Sequence, residues 1–142
     1  MEGVRGINHV AFSVADLKRS IAFYERFGFK VEDRFESFGR DAEEGTGVPD
    51  AHLYIGMLRR PDLRLELIQY AKRASAKPPR NNDVGSAHVC FDVKNIEDIF
   101  ERLRADGLEF VSAPHYHESG IKWVHLKDPD GITVELLEVF GD

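Results

Sequence analysis

The sequence predicts an α+β protein made of two tandem βαβββ modules, and three observations lead to this fold class. The hexapeptide HVAFSV at residues 9–14 matches HVCFDV at residues 88–93 in four of six positions. An amphipathic helical pattern follows each copy, and several short runs of strand character follow each helix. A pattern that recurs in this order indicates a duplicated structural module.

Each helical pattern begins at a residue suited to capping and ends at a glycine. Asp16 and Asn95 stand at the N-cap positions, and apolar side chains then recur at i, i+4 and i+7. Gly28 and Gly107 suit the left-handed conformation that commonly follows a helix. The predicted helices cover residues 16–27 and 95–106.

The strands are predicted from short apolar runs, with the repeated hexapeptide as the first strand of each module. A hairpin joins the last two strands at Asp128-Pro129-Asp130-Gly131, because proline presets one φ angle and glycine permits a positive one. The other strands are predicted near residues 29–38, 51–58 and 63–70 in the first module and near 109–111, 121–127 and 132–139 in the second.

Two segments lack periodicity and are predicted to be loops. Residues 71–86 form a linker inside a single domain, 1–142, with module one at about 5–70 and module two at about 87–140. Residues 39–49 are predicted to form a mobile loop that could close over a site.

The charge balance argues against a nucleic-acid partner. The formal charge is −6 and the pI is near 5.5, whereas binding to phosphate backbones needs a concentrated basic surface. Basic residues gather between positions 59 and 80, and this stretch is either a solvated loop or a surface that meets a small anionic substrate.

The single cysteine and the absence of long apolar runs indicate the cellular compartment in which the protein is expected. Cys90 cannot form an internal disulfide and is predicted to be a small packing residue, and the N-terminus does not resemble a signal peptide. No apolar run approaches the roughly 18 residues that cross a bilayer, so no membrane insertion is expected. These features predict a cytoplasmic protein.

The alternation of side chains along the strands predicts a metal site. On the first strand Val10, Phe12 and Val14 form the apolar row, which leaves His9 on the opposite face. The same test leaves three more side chains on the free faces of their strands: Glu66, His88 and Glu135.

Two imidazoles and two carboxylates suit a single divalent cation. The alternative is an ordinary polar face of a sheet exposed to solvent. The repeat places His9 over His88 and Glu66 over Glu135, within matching Glu-Leu pairs, and this coincidence favours the metal site.

Other polar and aromatic side chains are assigned by alternation to the walls of the same site. His52 and His125 are also candidates for a general base, whereas His115 and His117 are predicted to lie in a surface loop. The predicted substrate-binding residues are His52, Tyr54, Arg64, Trp123 and His125.

Taken together, these motifs resemble the vicinal-oxygen-chelate superfamily, which includes glyoxalase I, methylmalonyl-CoA epimerase, extradiol dioxygenases and the fosfomycin- and bleomycin-resistance proteins. The resemblance implies a glyoxalase-like fold in which two modules form a cup-shaped mixed sheet around a metal held by His9, Glu66, His88 and Glu135. It also implies a homodimer. The segments that carry it are Asn8-His9-Val10, Ala22-Phe23-Tyr24 with Phe27-Gly28-Phe29, Leu65-Glu66-Leu67, Ala87-His88-Val89, and Lys127-Asp128-Pro129-Asp130-Gly131 with Val134-Glu135-Leu136.

The resemblance implies a metal-dependent lyase or isomerase that acts on a small substrate with vicinal oxygens through an enolate. One divalent ion, Ni, Co, Zn or Mn in preference to Fe, would act as the Lewis acid, and Glu66 or Glu135 would take the proton. Ser13 and Tyr70 stand where glyoxalase I usually has the Arg and Asn that serve glutathione, which argues against a glutathione substrate.

Two alternative functions remain open at this point. An Fe(II) extradiol-type dioxygenase would use His9, His88 and Glu135 as its two-His-one-carboxylate triad. A drug-binding resistance protein would sequester its ligand, although members of that class often lack the four metal ligands that this sequence retains.

Overall fold

The computed structural model describes residues 1–75 and 77–141. It divides into two compact units, Met1–Ala76 and Lys77–Asp142, and their boundary falls inside the segment 71–86 that the sequence predicts as a linker. Each unit contains one four-stranded mixed sheet, and the predicted α+β class is confirmed. No helix among the described residues has the length and apolar character needed to cross a membrane.

The first unit has the predicted βαβββ order with one additional helix. Its sheet has the strand order β1-β4-β3-β2, in which β1 and β4 are parallel and the other neighbours are antiparallel. The elements are β1 (Val10–Ser13), α1 (Leu17–Glu25), β2 (Lys30–Phe38), α2 (Arg40–Thr46), β3 (His52–Arg59) and β4 (Arg64–Tyr70).

The second unit repeats this topology with a shorter connection between its second and third strands. Its sheet has the order β5-β8-β7-β6, with β5 and β8 parallel and the other neighbours antiparallel. The elements are β5 (Val89–Asp92), α3 (Ile96–Ala105), β6 (His115–His117), β7 (Ile121–Lys127) and β8 (Thr133–Val139).

Helix α2 occupies the segment 39–49, so the prediction of a mobile loop there was wrong. Ala42 of α2 is 3% exposed and packs in one buried cluster with Leu53 and Ile55 of β3. A helix of seven residues is too short to be stable through propensity alone. Its stability therefore comes from this tertiary packing. The helix is also too short to give the sequence an amphipathic pattern from which it could be predicted.

The edge strand of the second unit also differs from the prediction. The run 109–111 forms only an isolated bridge between Phe110 and Leu126, and the strand is β6 instead. His115 and His117 therefore lie in a strand and not in a loop, although both are exposed as expected. A polar edge strand of three residues carries no apolar alternation from which it could be predicted.

Helix α1 has the cap that the sequence predicts. The carboxylate of Asp16 accepts a hydrogen bond from the backbone N–H of Arg19 at 3.1 Å. The backbone N–H of Leu17 donates to Oε1 of Gln69 on β4 at 2.8 Å, so the sheet also holds the start of the helix. Gly28 follows the last turn with a φ of 87°, in agreement with its predicted role.

Helix α3 is capped by the sheet in place of the predicted side chain. Asn95 stands at the N-cap position with a left-handed φ of 59°, and its side chain makes no capping hydrogen bond. The carboxylate of Glu138 on β8 accepts from the backbone N–H groups of Asn95 and Ile96, at 2.9 Å each. The prediction that the Asn95 side chain caps the helix was wrong, because its left-handed backbone differs from the extended conformation in which an N-cap side chain reaches the N–H group two or three residues on.

Replacing Glu138 by Ala should lower the melting temperature by a few degrees, because two N–H groups of α3 lose their acceptor. The hydrogen bonds from Ile96 and Asn95 lower the pKa of the Glu138 carboxyl below its ordinary value of 4.5. Its contribution to stability is therefore complete above about pH 5 and is lost as the pH falls through the folded-state pKa. Urea unfolding followed by circular dichroism at several pH values measures this.

The control for this experiment is Glu138→Gln, which keeps one acceptor oxygen and does not titrate. It should lose less stability than the Ala variant at neutral pH. If wild type and Glu138→Ala lost stability in parallel as the pH fell, the capping role of the carboxylate would be refuted.

Candidate metal centre

In the first unit, His9 and Glu66 lie on the same face of the sheet. The register of β1 with β4 pairs Ala11 with Glu66, and His9 stands two residues before Ala11, with the same orientation. His9 Nε2 and Glu66 Oε2 are 3.7 Å apart. Leu65 and Leu67, which alternate with Glu66, are 1% and 0% exposed and pack on the opposite face.

In the second unit, His88 and Glu135 are related in the same way. The register of β5 with β8 pairs Cys90 with Glu135, and His88 stands two residues before Cys90. His88 Nε2 lies 3.0 Å from Glu135 Oε2, within hydrogen-bonding distance. Both units therefore place one imidazole immediately before a strand and one carboxylate on the adjacent parallel strand.

His125 extends the second pair to a cluster of three. It lies directly opposite Glu135 across β7 and β8, with its Nε2 3.8 Å from Glu135 Oε2. Ligand atoms of His88, His125 and Glu135 all lie within 4.8 Å of one another. Ligands about 2.1 Å from one ion are separated by about 3.0 to 3.4 Å, so small side-chain movements would suit this cluster to a divalent cation.

The imidazole of His125 favours the neutral state, which is the state that a metal ligand or a proton acceptor needs. Burial lowers the pKa of its imidazole, and the charges of His88 and Lys127 act in the same direction, whereas Glu135 opposes them. The ordinary pKa is 6.5, so a lowered value keeps the ring neutral at pH 7. A neutral imidazole has a free lone pair for an ion or a proton.

A row of aromatic rings continues from this cluster along the same face of the sheet. The centroids of His88 and His125 are 5.5 Å apart, those of His125 and Trp123 are 5.0 Å apart, and those of Trp123 and His115 are 6.0 Å apart. Trp123 and His125 share the face of Glu135, whereas sequence reasoning did not assign His115 to it. The alternation of His115 and His117 around Tyr116 was the signal in the sequence that could have placed both histidines on one face of a strand.

His52 and Tyr54 do not share the face of Glu66, and their prediction as walls of the same site was wrong. The register of β3 with β4 pairs Met57 with Glu66 and Tyr54 with Gln69. Directly paired residues project to the same side of a sheet, so His52 and Tyr54 lie on the opposite face from Glu66.

The cause of this error is that both faces of β3 are covered. Gly56, which shares the face of Tyr54, lies against Leu17 and Ile21 of α1, and this identifies the α1 face. Leu53 and Ile55 are buried as well, but under α2, on the face of Glu66. Because α1 and α2 cover opposite faces of β3, the apolar alternation along this strand predicted the wrong face for His52 and Tyr54.

His52 instead forms a separate contact on the α1 face. Its Nε2 lies 2.8 Å from Oε2 of Glu36, and its ring stacks on Tyr54 with centroids 4.7 Å apart. This histidine-carboxylate pair resembles those of the candidate centre in chemistry and differs from them in position, which makes it a useful control.

Arg64 lies beside the first pair and is hydrogen-bonded within its own unit. Its Nε donates to Oε2 of Glu32 and its Nη1 donates to Oδ1 of Asn8, both at 3.0 Å. Oδ1 of Asn8 also lies 2.8 Å from Nδ1 of His9. Asn8 therefore links the guanidinium of Arg64, which is predicted to bind substrate, to His9 of the candidate centre.

Cys90 is exposed, so the prediction of a small packing residue was wrong. Desolvation of its sulfur, with the charge and the hydrogen bond of Glu135, raises the pKa of the thiol to about 11. A thiol with this pKa is almost fully protonated at pH 7 and is a poor nucleophile. The candidates for acid–base chemistry on this face are therefore its imidazoles and carboxylates.

Known proteins resemble this chain over almost its full length. A family model for the Glyoxalase/Bleomycin resistance protein/Dioxygenase superfamily matches residues 6–136. The chain is 29% identical to 2-epi-5-epi-valiolone epimerase of Actinomyces sp., with 96% of this chain and 81% of that protein covered. It is 28% identical to lactoylglutathione lyase of Pseudomonas aeruginosa, with 92% and 81% covered.

Solved structures resemble this one in fold. A glyoxalase family protein from Bacillus cereus superimposes with a TM-score of 0.85 at 26% identity, covering 97% of this chain and 96% of that chain. The epimerase and the lyase are both enzymes, and the prediction that this chain is an enzyme is confirmed at that level.

Proposed function

The chain belongs to the Glyoxalase/Bleomycin resistance protein/Dioxygenase superfamily, and from this premise we propose that it is a metal-dependent lyase or isomerase. Its substrate is a small molecule with vicinal oxygens, and the reaction passes through an enolate. The observation that supports this proposal most strongly is the pair of His–Glu contacts, at 3.7 Å and 3.0 Å, in repeat-related positions.

The proposed ligands are of the types that a divalent metal ion prefers. His9 and His88 would supply two nitrogen ligands, and Glu66 and Glu135 would supply two oxygen ligands, which suits Ni, Co, Zn or Mn in preference to Fe. The bound ion would supply Lewis acidity, which favours negative charge on substrate oxygens.

Proton transfer is assigned to the carboxylates. Glu66 or Glu135 removes a proton from the substrate carbon next to the oxygens, and a proton is then returned to the enolate to give the product. The neutral ring of His125 lies 3.8 Å from Glu135, so one intervening water or a small side-chain movement would let it accept that proton. The exposed fraction of the Glu135 side chain is 17%, so bulk water reaches it only in part.

The aromatic row suggests where the rest of the substrate lies. Trp123 and His125 are the predicted substrate-binding residues that share the face of Glu135, and His115 continues the row. Rings in this arrangement favour a planar or unsaturated group, through stacking. Ser13 and Tyr70 replace the residues that usually serve glutathione in glyoxalase I, so the substrate is not expected to be a glutathione adduct.

A second candidate function is an Fe(II) extradiol-type dioxygenase. One observation favours it: His88, His125 and Glu135 form a two-His-one-carboxylate cluster within a single unit. The presence of Glu66, which this chemistry leaves without a role, and the similarity to an epimerase and a lyase favour the redox-neutral reaction.

We also propose that the protein is a homodimer in the cytoplasm. Strand β2 lies at the edge of its sheet and carries Phe35 and Phe38, which are 43% and 64% exposed. Long edge strands with exposed apolar side chains favour association with another chain. Light scattering that gave the monomer mass of 16.1 kDa would refute the dimer.

Metal titration tests the proposed function directly. Tryptophan fluorescence can follow it because the chain contains a single tryptophan. The ring of Trp123 lies 5.0 Å from that of His125, so Ni²⁺ or Co²⁺ bound at the centre should quench its fluorescence. Mass spectrometry of the purified protein should identify the resident metal, and Glu36→Gln should titrate as wild type does.

Activity is then screened with 2-oxo hemithioacetals, acyl-CoA epimers and catechols. Exchange of the substrate C–H proton with deuterium from D₂O, followed by NMR, should accompany turnover of the first or second class. Oxygen uptake with a catechol alone would transfer the assignment to the dioxygenase. Failure to bind any divalent ion would reject both metal-dependent functions.

A further inference from the structure

We propose that Asn8 is a positioning residue that fixes the tautomer of His9, and that Arg64 fixes the orientation of Asn8. The result is that Nε2 of His9 presents its lone pair on the face shared with Glu66. This inference rests on the proposed function only in treating His9 as a metal ligand.

The orientation of the Asn8 amide follows from its contact with Arg64. A guanidinium group donates hydrogen bonds and cannot accept them, so the atom of Asn8 that lies 3.0 Å from Arg64 Nη1 has to be the oxygen. The reverse orientation would place an NH₂ group against the guanidinium. Arg64 therefore determines which end of the amide faces His9.

The tautomer of His9 follows from the orientation of Asn8. The same Oδ1 lies 2.8 Å from His9 Nδ1, and an amide oxygen only accepts, so Nδ1 carries the hydrogen. A neutral imidazole has one N–H group, which leaves Nε2 unprotonated. Nε2 lies 3.7 Å from Glu66 Oε2, beyond hydrogen-bonding distance and on the side where the ion would bind.

Arg64 is itself held by Glu32. Its Nε donates to Glu32 Oε2 at 3.0 Å, and Arg59 Nε lies 3.5 Å from the same oxygen. The side chains of Arg64 and Glu32 are 27% and 34% exposed, so both are partly shielded from water. Arg64 also stands two residues before Glu66 on β4, which links the orientation of the histidine to the strand that carries its carboxylate partner.

The second unit has different residues at the equivalent positions. Ala87 precedes His88, and Thr133 stands two residues before Glu135, where Arg64 stands before Glu66. His88 Nε2 is instead 3.0 Å from Glu135 Oε2. The proposed arrangement is therefore specific to the first unit, and His88 is an internal control within the same molecule.

Long-range ¹H–¹⁵N correlation spectra of the metal-free, ¹⁵N-labelled protein at about pH 8 test the inference, because they distinguish the two tautomers. Wild-type His9 should carry its proton on Nδ1. Asn8→Ala should move His9 towards the other tautomer, whereas Asn8→Asp, which keeps an oxygen acceptor, should retain it. The signals of His88 should not change in any variant, and His9→Ala identifies the His9 signals.

Calorimetric titration with Zn²⁺ gives a second measurement. Asn8→Ala should bind about 10- to 100-fold more weakly, as is typical when a hydrogen-bond partner of a ligating histidine is removed, and Asn8→Asp should bind much as wild type does. Asn82→Ala, another change of an exposed asparagine, should leave both the spectra and the affinity unchanged. Arg64→Gln should weaken the tautomer preference, which provides a second variant if Asn8→Ala does not fold.

Two results would overturn the inference: a wild-type His9 with its proton on Nε2, or an Asn8→Ala variant with unchanged tautomer and unchanged affinity. Its failure is distinguishable from that of the proposed function. If the wild-type protein bound no metal while Asn8→Ala still changed the tautomer, the proposed function would fail and the positioning role would stand.

Discussion

We expect Glu135→Gln to remove most of the activity, by a factor of about 10² to 10⁴, while the protein remains folded. The change deletes an anionic ligand and a candidate proton acceptor with little change in side-chain shape. Glu135 lies 3.0 Å from His88 and 3.8 Å from His125, so the loss of its charge affects the whole cluster of the second unit. Steady-state kinetics on the substrate found in the screen, with metal content measured in parallel, test this result.

A matched control exists in the same chain. Glu36→Gln breaks a contact of the same chemistry, in which Glu36 Oε2 lies 2.8 Å from His52 Nε2, on the opposite face from Glu66. This variant and His52→Ala should keep near-normal turnover. A loss of about 10² or more in His52→Ala with metal content intact would instead assign acid–base chemistry to His52.

Removal of the metal should lower the melting temperature by about 5 to 10 °C. An ion that binds only the folded state at a hundred times its dissociation constant stabilises that state by about 2.7 kcal/mol. Without the ion, Glu66 and Glu135, whose side chains are 16% and 17% exposed, lose the positive charge that would offset their partial burial. Thermal unfolding of chelator-treated and metal-loaded protein, followed by circular dichroism, measures the difference.

Variants of the centre separate this effect from nonspecific binding of metal. Glu135→Gln and His9→Ala should reduce the difference in melting temperature, whereas Glu36→Gln should retain it. Equal melting temperatures for metal-free and metal-loaded wild-type protein would mean that the four predicted ligands do not form a tight site.

The sequence was sufficient to predict the family and most of the fold, because both are determined by patterns that repeat. Helices α1 and α3 begin and end within two residues of their predicted limits, and the family predicted from the repeated motifs is confirmed. The placement of His9 and Glu66 follows from one-sided burial, since the alternating residues Leu65 and Leu67 are fully packed.

The wrong predictions arise where two helices cover opposite faces of one strand, or where a residue distant in sequence makes the contact that was predicted for a local residue. Strand β3 is apolar on both faces because α1 and α2 cover opposite sides of it, so alternation alone could not show on which face His52 lies. The cap of α3 comes from Glu138, which is distant in sequence. In the sequence, the position of His125 within the alternation of β7 indicates only a residue in the wall of the site. The register between β7 and β8 is what places it against Glu135.

Helix α2 accounts for a change of spacing within the repeat. The interval from His9 to His88 is 79 residues, whereas the interval from Glu66 to Glu135 is 69. Strands β2 and β3 are joined by residues 39–51, which hold α2, and strands β6 and β7 are joined by residues 118–120, so the ten-residue difference arises in this connection.

In evolutionary terms, the repeated motif is typical of a duplicated module, and the two copies differ by this helix. The half that holds α2 uses part of its sheet face to bury apolar residues, so substitutions there carry a cost in folding. The half with the short connection keeps Trp123 and His115 free of such a covering helix. Substitutions around Trp123 and His115 are therefore expected to cost less folding stability than substitutions on the face that α2 covers.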